Sequence, residues 1–134
     1  MEKADLKNPR ISKKEMGLLK GSIRRVFGRS DLRRRVIETY IIKDYYNPNR
    51  KTVKYWIQCE QCKKMEAKSN IQLDHVEPVI PVDKSFEEMS FDEVINRQWC
   101  EENNLKVLCK PCHHEKTRLE NKERRRIKKE KGIK

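Results

Sequence analysis

The sequence predicts a small α+β domain held together by a bound metal, and three observations carry that expectation. Two Cys-x-x-Cys pairs, Cys59 with Cys62 and Cys109 with Cys112, are separated by the 46 residues 63–108. Short stretches rich in β-branched and aromatic residues alternate with stretches of helical periodicity. Charged residues make up 40% of the 134-residue chain and hydrophobic residues only 35%. The core is therefore small, and a small core needs a staple such as a structural metal.

Taken in order, the first helix begins at Ile11 or Ser12 after a polar, frayed start, and runs to about Phe27. Met16, Leu18, Leu19, Ile23, Val26 and Phe27 recur at helical spacing, and Gly28 stops it. Ser30 or Asp31 caps a second helix that places Leu32, Val36, Ile37, Tyr40 and Ile41 on one face. Tyr45 to Arg50 is a turn by composition, and 52–58 reads as a strand leading into Cys59. Ile71 to His75 is a second strand, ended by Pro78 and Pro81. Ser90 caps a helix expected to reach about Glu102, with Cys100 a packed thiol beside Trp99. The last helix starts near Pro111 or Cys112 and continues to about Lys129. Three segments follow: a basic helical arm over 1–51, a metal-stapled core over 52–120 and a basic helical extension over 121–134.

Two Cys-x-x-Cys turns each present two thiolates, and two such pairs complete a tetrahedral shell around zinc. A closed four-thiolate shell has no open position, so this Zn²⁺ is expected to be structural and to contribute directly to folding. A redox dithiol or an iron–sulfur site also uses cysteines. A redox pair needs no second pair, however, and no βαβ pattern surrounds either one.

No apolar run approaches the ~20 residues needed to span a bilayer, and the N-terminus lacks an apolar signal core. A cytoplasmic protein with no membrane partner is expected, and in that reducing setting cysteines favour metal over disulfides. The net charge of +12 is unevenly spread. Residues 1–58 carry 16 Lys/Arg against 6 Asp/Glu, residues 59–108 carry 6 against 11, and residues 109–134 carry 11 against 4. An acidic centre between two basic arms suits a cation site flanked by surfaces for a polyanion, and DNA is the expected partner. The candidate phosphate contacts are Arg24, Arg25, Arg33, Arg34, Arg35, Lys116, Arg118, Arg124, Arg125 and Arg126. Any one such run is equally a solvated helix face.

A second chemistry overlaps the thiols. Asp74 can hold a hard divalent cation, and His75 beside it can act as a general base. Successive strand residues point to opposite sides, so the two can serve different ends of one phosphate. Asn104 can fix the tautomer of His75 by a hydrogen bond, and His113 can be the second cation ligand.

With Leu73-Asp74-His75 and Pro78, Asn104-Leu105 with Val107-Leu108, and Cys109-x-x-Cys112-His113-x-x-Lys116-Thr117, the chain resembles the HNH endonucleases. The likeness is to the zinc-stapled form found in phages and prophages, and it covers about residues 52–120. It implies a ββα-metal (His-Me finger) core that hydrolyses DNA phosphodiester bonds by nicking or double-strand cleavage. It also implies Asp74 and His113 on a catalytic cation, His75 as base, Asn104 orienting His75, and phage packaging or replication proteins as associates. Thr117 stands where some members carry a further His. The cation then has two protein ligands, which suits Mg²⁺ or Mn²⁺. His114, adjacent to His113, is the competing ligand by position. The alternative from a different class is a non-catalytic zinc-ribbon protein that binds nucleic acid.

Overall fold

The computed structural model describes residues 8–132, so residues 1–7 and 133–134 of the expected arms lie outside the described residues. Helix α1 spans Lys13–Phe27 and opens on a capping box, in which the Ser12 hydroxyl accepts from Glu15 N and the Glu15 carboxylate accepts from Ser12 N. Helix α2, Asp31–Thr39, is capped by the Ser30 side chain. It stops at Tyr40, one residue short of the expected apolar stripe, because Ile41 and Ile42 form strand β1 instead.

Strands β2 (Trp56–Gln58) and β3 (Met65–Ala67) complete an antiparallel sheet in the order β1-β2-β3. The expected strand over 52–58 is thus confined to its last three residues. Neither partner strand is longer than three residues, so residues 52–55 find no ladder and remain outside the sheet. Strand β4 occupies the expected Ile71–His75 and pairs antiparallel with β5, Leu105–Cys109. The register sets Ile71 opposite Cys109 and His75 opposite Leu105.

Between β4 and β5 lies helix α3, Phe91–Gln98, opened by a Ser90–Glu93 capping box. It is shorter than the expected helix to Glu102: Trp99 leaves helical geometry at φ −92°, ψ 73°, and Glu102–Asn104 form a separate 3-10 turn. Cys100 is therefore not helical, although it does pack, beside Trp99, against Phe27, Val36 and Leu105. Helix α4 runs Lys110–Glu130, with Pro in its first turn, where the missing N–H costs nothing.

The described chain is thus an α+β structure of four helices and two small antiparallel sheets. Ile37 from α2, Ile57 from β2, Ile71 from β4 and Val107 from β5 meet in one apolar cluster that joins both sheets to α2. Ile57 and Val107 are fully buried, each contributing about 1.5–3 kcal/mol from burial. A second cluster of Phe27, Val36 and Leu105 seats α1 and α2 on the end of β5. The third is made of Cys59, Leu108 and Cys109. Among the described residues no helix is long and apolar enough to cross a membrane.

Candidate functional site

The thiol cluster grows out of two local turns. After β2, the chain folds back at Cys59–Lys63, with Lys63 N donating to Cys59 O at 3.0 Å and Cys59 N to Lys64 O at 2.9 Å. Closing this knuckle requires a left-handed residue, and Lys63 takes it at φ 67°. Cys62 N points at Cys59 Sγ, 3.5 Å away. The other pair comes from the β5–α4 junction, where Cys109 is the helix cap and Cys112 lies in the first turn. Helix N-termini favour negative charge, so this is a suitable place for thiolates.

All four sulfurs lie within 4.8 Å of one another, and Cys62 Sγ to Cys109 Sγ is 3.7 Å. Tetrahedral zinc with Zn–S near 2.3 Å places sulfurs about 3.8 Å apart, so the four thiols fit that ion. Burial works to raise the Cys59 thiol, yet backbone hydrogen bonds at Cys109, Cys62 and Gln61 outweigh it and lower the pKa from 9.0 to about 6. Cys112 is pushed up to about 12, first by sharing a hydrogen bond with Cys109 and then by burial and the other thiols. Four thiols this close cannot all ionise without a cation among them.

Glu60, inside the knuckle, ties this turn to β5. Its N–H donates to Val107 O at 3.0 Å and its carboxylate accepts from Val107 N at 2.9 Å. Glu60 thereby fixes the distance between the two cysteine pairs. No pattern in the sequence singles it out, because its partner is 47 residues away.

Next to the thiols, β4, β5 and α4 bring together the Asp-His pair and the helix histidine. Asp74 is 6% exposed, and its Oδ1 lies 3.6 Å from His113 Nε2. Two atoms each about 2.1 Å from one cation can stand up to about 4.2 Å apart, so this pair can hold a small divalent ion. His114 is exposed on the other side of the helix, so it is His113 that faces Asp74. The second oxygen, Asp74 Oδ2, is wholly buried and accepts no directed hydrogen bond. Lys116 Nζ is 3.1 Å from it, close enough for an ion pair but off the hydrogen-bonding direction.

His75 is positioned differently from the sequence expectation. Its Nε2 lies 2.8 Å from the Gln98 carbonyl, and its ring packs on Phe27 with centroids 5.2 Å apart. A carbonyl only accepts, so the tautomer assigned from this contact carries its proton on Nε2 and keeps the lone pair on Nδ1. Asn104 does not orient the ring. Its Oδ1 accepts from Glu77 N at 2.8 Å, its Nδ2 donates to Glu77 O at 3.2 Å, and its carbonyl accepts from Val76 N. Asn104 closes the strand ends, while Gln98 does what was expected of it.

Asp74, His75 and His113 line one open groove of about 1000 Å³, rimmed by Arg24 and Arg33. The ten candidate phosphate contacts separate by environment. Among the described residues, Arg24, Arg25, Arg33 and Arg125 have no acidic or carbonyl partner. Arg34 pairs with Asp31 and Glu38, Arg35 with Glu102, Arg118 with Glu115, and Arg126 with Glu123 and Glu130. Arg124 donates to the carbonyls of Pro81 and Ile80, and Lys116 to that of His75. With Arg97, which grips Pro78 and Val79, Arg124 straps the long connection over the groove. Comparison with protein-family models, curated proteins and solved structures gives no match.

Proposed function

We infer that the protein is a metal-dependent endonuclease of the HNH type, acting on DNA. The observation that carries this reading is the groove's geometry: a buried carboxylate facing His113 across 3.6 Å, with the neighbouring His75 held at Nε2 by the Gln98 carbonyl. The order β4, β5, α4 around it is the strand-strand-helix arrangement that a ββα-metal core needs.

In this reading Gln98 holds the His75 ring by Nε2, so Nδ1 faces the groove as the base that takes a proton from the attacking water. Phe27 behind the ring limits its rotation. Arg24 and Arg33, which have no acidic or carbonyl partner among the described residues, grip backbone phosphates on either side of the scissile one. Asp74 and His113 would hold Mg²⁺ or Mn²⁺, which supplies Lewis-acid polarisation of the phosphate and neutralises the leaving oxygen. The four-cysteine site would hold structural zinc and keep α4 in register with β4.

The ion pair between Lys116 and Asp74 supports a second reading, a zinc-ribbon DNA-binding protein, since it partly satisfies Asp74 without any divalent ion. Supercoiled plasmid incubated with Mg²⁺, Mn²⁺ or EDTA separates the two. Open-circle or linear product that depends on the cation and disappears in zinc-loaded His75→Ala is the expected result. Bound but uncut plasmid under every condition would establish the second reading instead.

A further inference from the structure

Among the described residues, Lys116 touches both His75 and Asp74. Its Nζ donates to the His75 carbonyl at 3.0 Å and to Glu120 Oε2 at 2.8 Å, and lies 3.1 Å from Asp74 Oδ2. Lys116 and Glu120 are one helical turn apart on α4, on the face that also carries His113. The ammonium stands between two carboxylates, Glu120 and Asp74, which favour its charged form.

A permanent cation beside a cation ligand is a competitor. Both seek the lone pairs of Asp74, and like charges within a few ångströms repel strongly in a half-buried site. What tips the contest is Glu120, which takes the shorter contact and draws the ammonium along α4. The result is an asymmetric carboxylate: Oδ2 faces Lys116, and Oδ1 faces His113.

We propose that Glu120 is a positioning residue that holds the Lys116 ammonium on the Oδ2 side of Asp74, keeping Oδ1 and His113 open for the divalent cation. This rests on the reading of Asp74 and His113 as cation ligands. It assigns Lys116 and Glu120 a role exerted through Asp74. Without Glu120, Lys116 has only Asp74 and the His75 carbonyl to satisfy it, and the cation must displace a firmer ion pair.

The test is Mn²⁺ binding to the zinc-loaded full chain, followed by calorimetry and by the loss of the free Mn²⁺ resonance. Wild type binds Mn²⁺ in a manner abolished by Asp74→Ala. Glu120→Gln weakens that binding about tenfold with zinc content unchanged, and Glu120→Asp recovers part of the loss. In a Lys116→Met background, Glu120→Gln shifts affinity less than about twofold, because no ammonium remains to restrain. An unchanged affinity in Glu120→Gln overturns the proposal. So does an equal loss in the Lys116→Met background, which would make Glu120 a direct ligand, and so does the absence of Asp74-dependent binding in wild type. Asp74-dependent Mn²⁺ binding without plasmid cleavage removes the nuclease reading and leaves this assignment standing.

Discussion

At Asn104 both amide atoms and the main-chain carbonyl are committed to the two residues after β4. Asn104→Ala removes two hydrogen bonds and leaves the Glu77 N–H without its acceptor. Each such bond contributes about 0.5–1.5 kcal/mol, so urea denaturation of the zinc-loaded variant is expected to show a loss of about 1–2 kcal/mol. A variant of wild-type stability would mean that water replaces the amide at no cost. The residue was legible in the sequence as important, but its partner was not. Asp74, His75 and His113 declare themselves by side-chain chemistry. Gln98 acts through a carbonyl that every residue possesses, 23 positions from the ring it holds. Glu120 differs from the other acids of α4 only in what stands opposite it. Contacts made across the fold leave no local trace, and that is why the candidate ligands stand out in the sequence while their supports do not.

Among the elements, α4 shows how one helix divides its labour by face. It opens with two thiols, continues with His113 and Lys116 toward the groove, and then turns Arg124 onto the strap between β4 and α3. Two of its outward arginines, Arg118 and Arg126, pair with acids three or four residues away, an arrangement that stabilises an exposed helix and occupies the charge. The basic runs therefore differ in environment although they look alike in sequence. Arg24→Ala and Arg33→Ala should each weaken DNA binding and reduce the salt slope by about 1. Arg126→Ala should leave both unchanged, and Arg124→Ala should lower the melting temperature instead. Fluorescence anisotropy with a duplex at several salt concentrations tests the set, and an Arg126→Ala effect as large as that of Arg24→Ala would erase the distinction. Helix starts were readable here because capping boxes are local. Strands β1 and β3 were not, since segments of two and three residues are too short for a period of two to register.

For the molecule as a whole, the four-cysteine cluster joins two sheets that otherwise share a small apolar core and the Glu60 clamp. Chelation of the metal should therefore cost most of the cooperative unfolding transition, as followed by circular dichroism with and without a strong zinc chelator. Acid should do the same. In the metal-free fold the Cys59 pKa is lowered to about 6, so the stability that its thiolate contributes is full above the unfolded value near 9 and is lost as pH falls through about 6. Zinc loading at pH 7.5 should release protons, because the ion binds thiolates and not thiols. Calorimetry in buffers of different ionisation enthalpy counts the protons released per ion, and no release would contradict ligation by the four thiols.

Cys112 and His113 are consecutive residues of one helical turn, so the structural ion and the proposed catalytic one would be next-door neighbours on the same backbone. Replacing zinc with cobalt would turn the four-sulfur shell into a coloured reporter whose absorption bands respond to small distortions of that turn. Any ion or phosphate arriving at His113 would then be visible as a spectral change in its neighbour, with no labelled substrate and no turnover required.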